Sequence, residues 1–414
     1  MSKKKKKPDM SMYEDRAQLC PHFEQCGGCT MQKISYGKQL EIKAAQVRNL
    51  LEEAELQIPD FEGILGSPSE EGYRNKMEFT FGDECKGGPF ALGLHMRGSF
   101  MNIVNLTDCH LVHPDMNLIR NKVRDFLDFY YSQGLISFRN NKTQIGYLRH
   151  LLIRRAAATG EILVALVTTS QYPEALKEKI PESRLMEQFV DVLKSLEPEG
   201  EITGILHIVN DARSDVVQSD RTEILSGRDY IYEEVLGLRF KVSVFSFFQT
   251  NTKGAELLYR KAREYAADAH GTLFDLYCGT GTISQLMSPA VEKVIGVEIV
   301  PEAVEAAREN AKLNGISNAE FIADDVLKAL EYLPVPDSLI LDPPREGIHP
   351  KALGMILRYG IENIVYVSCK PASLARDLHA FDLAGYRIRK VCCVDMFPQT
   401  NHIETIVLLQ RQNS

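Results

Sequence analysis

The chain has 414 residues, too many for one ordinary hydrophobic core, so two or three domains are expected, each able to bury its own interior. Hydrophobic content of 44% and charged content of 25% are those of globular proteins, and no apolar run approaches the roughly 20 residues of a membrane-spanning helix, which sets the membrane class aside. A net charge of −8 argues against a uniformly basic protein that coats nucleic acid.

The chain opens on MSKKKKKPDM, whose lysines are followed by no apolar stretch, so it fails as a secretory signal and a cytoplasmic location is expected. Residues 1–16 read as a basic disordered tail. The cysteines, nine in all, suit metal-binding or catalytic thiols better than a disulfide framework. The knot Cys20-Pro-His-Phe-Glu-Gln-Cys26-Gly-Gly-Cys29 follows, its glycines permitting the tight turns that bring sulfurs together. From about 32 to 56, Leu40, Ala44, Val47, Leu51 and Ala54 recur at three and four residues, predicting a helix with one apolar stripe that must dock, here on the catalytic domain.

From Tyr73 to about Val242 the pattern shortens and alternates, with Tyr73, Met77, Phe79 and Phe81 on one side and Arg74, Lys76, Glu78 and Thr80 on the other. GYLRHLLIRR, EILVALVTT and ITGILHIVN predict further strands, with a helix over about 173–196, so residues 17–242 read as an α+β domain. Between Phe129 and Gly160, Arg139, Lys142, Arg149, Arg154 and Arg155 occur without one Asp or Glu, interleaved with Tyr130, Tyr131, Phe138 and Tyr147. Such a mixture suits phosphates and unpaired bases, and equally a solvated face over core aromatics.

From Gly254 helices alternate with the apolar strands TLFDLYC, KVIGVEIV, DSLILDPP and NIVYVSC, predicting a doubly wound, mainly parallel α/β domain over residues 243–414. The first of these strands ends in Asp275-Leu276-Tyr277-Cys278-Gly279-Thr280-Gly281-Thr282, a turn that lets a ligand approach the backbone. Ser284 stands where a dinucleotide fingerprint has its third glycine, which favours a nucleoside cofactor without pyrophosphate, S-adenosyl-L-methionine (SAM). Glu298, at the end of the second strand, is placed for ribose hydroxyls, and Asp324, after FIAD, for the adenine end. The rigid turn Asp342-Pro343-Pro344 is typical of base methylation, although Arg345 stands where an N-methyltransferase usually has an aromatic.

Carbon 5 of uracil takes a methyl group only after a nucleophile has added at carbon 6, a step that suits a thiolate. Cys369 closes the strand IVYVSC and opens Lys370-Pro371, so its sulfur is expected to project from a strand end. By residue type alone a strand cysteine is more often a small buried hydrophobe. The carbon-5 proton must then leave to a general base, and Glu404 stands at the start of a final apolar strand, where a carboxylate is out of place unless paired or functional. A surface edge-strand glutamate is its bland alternative, and His402 suits a structural role.

The order FFQTN, DLYCGTG, VIGVE, LDPPREG, VSCKPASLARDL and DMFPQTNHIET resembles the RNA uracil-C5 methyltransferases. The resemblance implies Cys369 as nucleophile and Glu404 as proton acceptor. It further implies that Gln249, Tyr277, Glu298 and Asp342 line the SAM and uracil pockets, with Thr282 and Asp324 as weaker carry-overs and Asn251 a candidate for holding a flipped base. C-x5-C-G-G-C, YRNKMEF, LRHLLIRR and Cys109 in LTDCHL extend the likeness to the N-terminal half. In the iron–sulfur branch that this resembles, a 4Fe-4S cluster is held here by Cys20, Cys26, Cys29 and Cys109, with zinc on the same cysteines as the alternative. Cys85, Cys278, Cys392 and Cys393 are incidental on this reading.

The segment before Cys20 is too short for the OB-like β-barrel that many members carry, so RNA affinity is expected from the cluster domain, and Lys370 and Ser373 replace a common asparagine and threonine. The resemblance implies a monomer acting on RNA, 23S rRNA ahead of the T-loop uridine of tRNA. Two readings from other classes stand beside it: a non-catalytic RNA-binding assembly factor, and an N-methyltransferase working through the Asp-Pro-Pro turn.

Overall fold

The computed structural model describes residues 11–17, 19–214 and 218–412, so the expected lysine tail lies outside the described residues up to residue 10. Asp15, within the stretch read as a tail, is tied down, because its carboxylate accepts from the Ser35 backbone N–H at 2.6 Å and from the Ser35 hydroxyl at 2.7 Å. Ser35 precedes helix α1 (Tyr36–Glu53), which is followed by strand β1 (Phe61–Leu65).

Next come β2 (Lys76–Asp83), β3 (Phe90–His95), β4 (Ile103–Asn105), α2 (Pro114–Tyr131), β5 (Leu148–Arg155), β6 (Glu161–Thr168), α3 (Glu174–Lys177), α4 (Glu182–Lys194), β7 (Glu201–Val209) and β8 (Arg221–Gly227). The strands β2 to β8 form one sheet in the order β4-β3-β2-β5-β6-β7-β8. All its pairs are antiparallel except β6 with β7, whose connection carries α3 and α4. The alternation in β2 sends Met77, Phe79 and Phe81 into the core against α2 and α4. The single helix expected over 173–196 is two, because Pro181 stands at the N-cap of α4 and the residue before a proline avoids helical backbone.

A hairpin of β9 (Tyr230–Val235) and β10 (Leu238–Ser243) leads into α5 (Thr252–Tyr265), β11 (Thr272–Leu276), α6 (Thr282–Met287), β12 (Lys293–Glu298), α7 (Pro301–Leu313), β13 (Ala319–Ala323) and α8 (Val326–Tyr332). The chain then returns through β14 (Ser338–Leu341), α9 (Pro350–Tyr359), β15 (Asn363–Ser368), α10 (Pro371–Leu383), β16 (Tyr386–Val394) and β17 (Glu404–Arg411). Their sheet runs β1-β16-β17-β15-β14-β11-β12-β13, so β1, from the N-terminal half of the sequence, adds to its edge in parallel with β16. β11 to β15 are parallel, and the chain reverses its direction across the sheet between β11 and β14. That reversal opens a crevice at the carboxyl ends of the strands, where such sheets bind ligands. Among the described residues no helix is long and apolar enough to cross a membrane.

Helix α1 docks on this second sheet, but its buried face is Gln39, Lys43, Val47 and Leu51, with Leu40 and Ala44 only half-buried. Val47 and Leu51 enter the apolar core beside Phe381. Lys43 reaches Asp395 at 2.7 Å and the Phe397 carbonyl at 3.1 Å, and both charged side chains are essentially inaccessible to water. Gln39 and Gln399 bond reciprocally: Gln39 Nε2 donates to Gln399 Oε1 at 2.9 Å and Gln399 N donates to Gln39 Oε1 at 3.0 Å. The apolar periodicity therefore finds the helix but not the polar contacts that seat it.

Replacing Lys43 with Met strands the Asp395 carboxylate in the interior, and the expected loss of stability is about 3 kcal/mol or more. It is read as a lower urea midpoint, largely recovered when Asp395→Asn is added; an unchanged midpoint in the single variant would show that the pair is dispensable.

Candidate active site

At the carboxyl end of β11 the backbone turns sharply through Tyr277, Gly279 and Gly281, all with positive φ, at 70°, 54° and 71°. A Cβ on Gly281 would stand 2.5 Å from the Phe321 ring, so only glycine lets this turn pack on β13. Ser284, in place of a third glycine, is buried and its hydroxyl donates to Asp275 Oδ2 at 2.5 Å, joining α6 to β11. Glu298 closes β12 and accepts from Gly279 N at 3.1 Å and from Val300 N at 3.0 Å. Asp324 follows β13, with its Oδ2 accepting from the Tyr332 hydroxyl at 3.1 Å. A cavity of about 900 Å³ opens here, lined by Phe245, Phe247, Gly279, Glu298 and Val300 among others. Thr282 is buried at the first turn of α6, and half-buried Gln249 accepts the Asn75 side-chain N–H on its backbone carbonyl at 2.9 Å.

Asn251 is engaged within the fold. Its Oδ1 caps α5 by accepting from Gly254 N at 2.9 Å, and its Nδ2 donates to Ser67 Oγ and to the Met396 carbonyl, both at 3.0 Å. An amide so occupied pins three segments together, with both Nδ2 protons used within the fold and one Oδ1 lone pair left over.

Asp342, Cys369 and Glu404 sit at neighbouring strand ends. Leu341 of β14 pairs with Tyr366 of β15, and Ser368 of β15 pairs with Thr405 of β17. Cys369 directly follows Ser368 and Glu404 directly precedes Thr405, so the two residues flank the last pair of this ladder, and the charge of Glu404 is felt by the Cys369 thiol. Burial pushes the Cys369 thiol up to about 11, helped by the negative charge of Glu404 and Asp342 and opposed by Arg345. Glu404 is buried and held well above the ordinary carboxylate range by desolvation and by Asp342, again opposed by Arg345. Asp342 is pushed up to about 7 by its enclosure and by Asp275, and Asp275 to about 7 by burial. Two groups here carry no expectation from sequence: Arg345, the cation that acts on both Cys369 and Glu404, and Tyr259 of α5, a buried phenol in the field of Asp342, Glu404 and Asp275. A tyrosine at one helical position gives no sequence signal, whereas Arg345 is marked by its place after the Asp-Pro-Pro turn.

Loop 345–348 is clamped onto α10. Asp377, fully buried, accepts from Ile348 N at 2.8 Å and from the Tyr366 hydroxyl at 2.7 Å, while Arg376 donates to Asp377 and to the Glu346 carbonyl at 2.7 Å. Ser373 Oγ donates to the Arg345 carbonyl at 2.9 Å.

The cysteine knot lies about the β3–β4 hairpin, where Gly27 N donates to the His95 carbonyl at 3.0 Å. Cys26, Cys29 and Cys109 are buried, Cys20 is half-buried, and all four are free thiols. Cys20 Sγ donates to the Asp108 carbonyl at 3.5 Å, and Cys29 Sγ accepts from Gln32 Nε2 at 3.2 Å. Burial, reinforced by the other thiols, raises Cys26, pushes Cys29 up to about 12 and pushes Cys109 up to about 11. Among the described residues no group of three or more His, Cys, Asp or Glu side chains is arranged to hold a metal ion.

The basic stretch over 129–160 is not a free surface. Arg139, Arg149, Arg154 and Arg155 are buried. Arg154 donates to the Val244 carbonyl at 3.2 Å, Arg149 to the Asn210 carbonyl at 2.6 Å, and Arg155 to Asp115 at 2.7 Å. Tyr147 is buried too, donating to Glu182 at 2.7 Å, which leaves Lys142 as the exposed cation of the stretch. β5 is buried along its whole length, so its arginines lie between packed elements, where guanidinium groups serve as multiple donors to loop carbonyls and to Asp115.

The tRNA (uracil-5-)-methyltransferase family model matches residues 213–331 and 327–412. An uncharacterized RNA methyltransferase of Clostridium acetobutylicum is 48% identical over 395 residues, covering 95% of this chain and 84% of that protein. One of Bacteroides thetaiotaomicron is 40% identical over 412 residues, covering 95% and 87%. Among solved structures, the Pyrococcus abyssi tRNA (uracil-54, C5)-methyltransferase in complex with S-adenosyl-L-homocysteine is similar with a TM-score of 0.71 and 27% identity, over 93% of this chain and 86% of that one. The α/β sheet is thus the Rossmann-like methyltransferase fold, and the chain belongs to the RNA uracil-C5 methyltransferase family, SAM-dependent enzymes that methylate uracil in RNA at carbon 5.

Proposed function

We propose that the enzyme works through a covalent bond between Cys369 and carbon 6 of a uridine in 23S rRNA, with Glu404 as the general base. The observation that supports this reading is that Cys369 and Glu404 flank the paired residues Ser368 and Thr405 at neighbouring strand ends, with Glu404 and Asp342 both acting on the Cys369 thiol. A nucleophile and a base that act on adjacent carbons of one ring need such an approach.

The uridine leaves its stack to reach the strand ends, and exposed Phe247, beside Gly279 at the cavity, offers a ring face to a base. Cys369 gives up its proton to water and adds as the thiolate to carbon 6, and the ring electrons displaced towards the carbonyl make carbon 5 nucleophilic. SAM, when bound near Tyr277, Thr282, Glu298, Asp324 and Gln249, supplies the methyl group there. Glu404 then takes the carbon-5 proton, the ring double bond reforms, and Cys369 departs from carbon 6. Enclosure raises the affinity of Glu404 for that proton, and Arg345 opposes the burial and the two carboxylates that hold the thiol neutral.

Cys20, Cys26, Cys29 and Cys109 are proposed to hold a 4Fe-4S cluster. The donor set fits: four reduced thiols, three of them buried and feeling one another's charge. A cluster spans more space than a single tetrahedral zinc, which needs every sulfur at about 2.3 Å. When bound it supplies metal–thiolate bonds that fasten the knot to the loop before α2. The cluster cysteines favour a ribosomal substrate. A second reading, methylation of a tRNA uridine, is favoured by the similarity to the Pyrococcus abyssi enzyme, which acts on uracil-54 of tRNA.

Mapping 5-methyluridine in ribosomal and transfer RNA from a deletion strain tests both. The wild-type gene is expected to restore a 23S rRNA mark and Cys369→Ala to restore none; a T-loop mark would select the tRNA reading, and activity of the alanine protein would exclude the thiol.

The raised Cys369 also makes free enzyme slow to alkylate. Peptide mass spectrometry after iodoacetamide is expected to show Cys369 lagging behind exposed Cys85 at neutral pH, with a rate that climbs as pH rises towards about 11 and increases when SAM, a cation, is added. Fast labelling at pH 7 without SAM would contradict control by burial and the two carboxylates.

A further inference from the structure

Arg120, in the middle of α2, is one of the largest fully buried side chains in the protein. Its Nη1 donates to Asn117 Oδ1 at 2.9 Å and its Nη2 to Asn121 Oδ1 at 3.0 Å, both neutral amides, and its Nε has no hydrogen-bond partner among the described residues. The Phe79 ring also lies beside it, its centroid 5.2 Å from the guanidinium carbon. A guanidinium stays charged in proteins, and a charge held away from water without an anion in contact costs several kcal/mol.

Both amides that receive Arg120 are bound to one short segment. Asn117 Oδ1 also accepts from Cys109 N at 3.0 Å, and Asn117 Nδ2 donates to the Cys109 carbonyl at 3.1 Å. Asn121 Nδ2 donates to the Thr107 carbonyl at 2.9 Å. The guanidinium is therefore held against the loop that carries Cys109 and approaches Cys20. Burial pushes Arg120 down to about 10, opposed by negative charge on Cys109, Asp108 and Cys20. Asp108 is 58% exposed and already meets His110 at 3.3 Å and Asn117 at 3.0 Å, so water screens most of what it offers.

We infer that Arg120 is the internal counter-charge of an anionic metal–thiolate group on Cys20, Cys26, Cys29 and Cys109. The inference rests on the reading of those cysteines as a metal-binding set. As neutral thiols they leave Arg120 uncompensated; as four thiolates around iron–sulfur or zinc they carry the net negative charge that it lacks. Loaded and empty protein should then respond to the loss of Arg120 with opposite signs, which a residue serving only to fill space would not produce.

The test uses the full chain purified anaerobically, its iron, zinc and acid-labile sulfide, its rate of metal release to a chelator, and its melting temperature loaded and stripped. Arg120→Met is expected to release metal faster than wild type by about tenfold or more, well within the scale of breaking a buried charge pair. Its melting temperature should fall in the loaded protein and rise in the stripped one, and Arg120→Lys should release metal at the wild-type rate. Arg120→Gln replaces the methionine variant if the latter is insoluble. Wild-type protein that binds neither iron nor zinc would overturn the metal reading itself. Metal-bearing wild type, with a methionine variant that matches it in release or loses the same stability loaded and stripped, would overturn the role of Arg120 and leave that reading standing. Lysine and methionine variants that lose metal equally fast would overturn it too.

Discussion

Three carboxyl groups converge at one end of the parallel sheet, and none of them, among the described residues, has a salt-bridge partner. Asp275 and Glu404 are buried, Asp342 is enclosed between them, and all three are raised from the ordinary range. Groups so placed cannot all ionise cheaply; burial holds the neighbouring Cys369 in its neutral state, and the negative charge that does form adds to it. The arrangement suits an enzyme that binds a sulfonium cofactor, because the missing cation arrives with the substrate. On the proposed mechanism, reactivity is tied to occupancy and the free enzyme carries a quiet thiol.

Holding those groups together requires contacts from far along the chain. Glu404 follows the loop 395–402, which Lys43 and Gln39 of α1 grip through Asp395 and Gln399, while Thr30 N and Met31 N both donate to the Gln399 carbonyl. Cys369 precedes α10, and Asp377 of that helix fastens the loop of Arg345. The knot, α1 and the catalytic strand ends are therefore one hydrogen-bonded unit. Tyr73 adds a further tie by donating from its hydroxyl to the Pro398 carbonyl at 3.0 Å.

Much of this was legible in the sequence where one physical rule dominates. The strands of the parallel sheet are continuous apolar runs because both faces are covered, and β2 alternates because one face is not. The turn at Gly279 and Gly281 is marked by residues that the backbone requires. Long-range polar pairing was not legible. Lys43 and Gln39 look like the solvent side of an amphipathic helix, and the arginines of β5 look like a phosphate-binding face, because nothing local tells whether a carbonyl or water will receive their protons. Pro181 was a readable break that the apolar pattern over 173–196 masked. Asn251 looked free because its two acceptors, Ser67 and Met396, lie far away in sequence.

The central claim is that Cys369 and Glu404 act in sequence on one uracil ring, so that the thiol cannot leave until the glutamate has taken the proton. Glu404→Gln removes the base and keeps the shape. Incubated with SAM and substrate RNA, that variant is expected to accumulate a protein–RNA adduct stable to denaturing gels, with the methylated uridine attached to the peptide that contains Cys369. Release of fully methylated RNA at the wild-type rate, or an adduct on any other residue, would contradict the account.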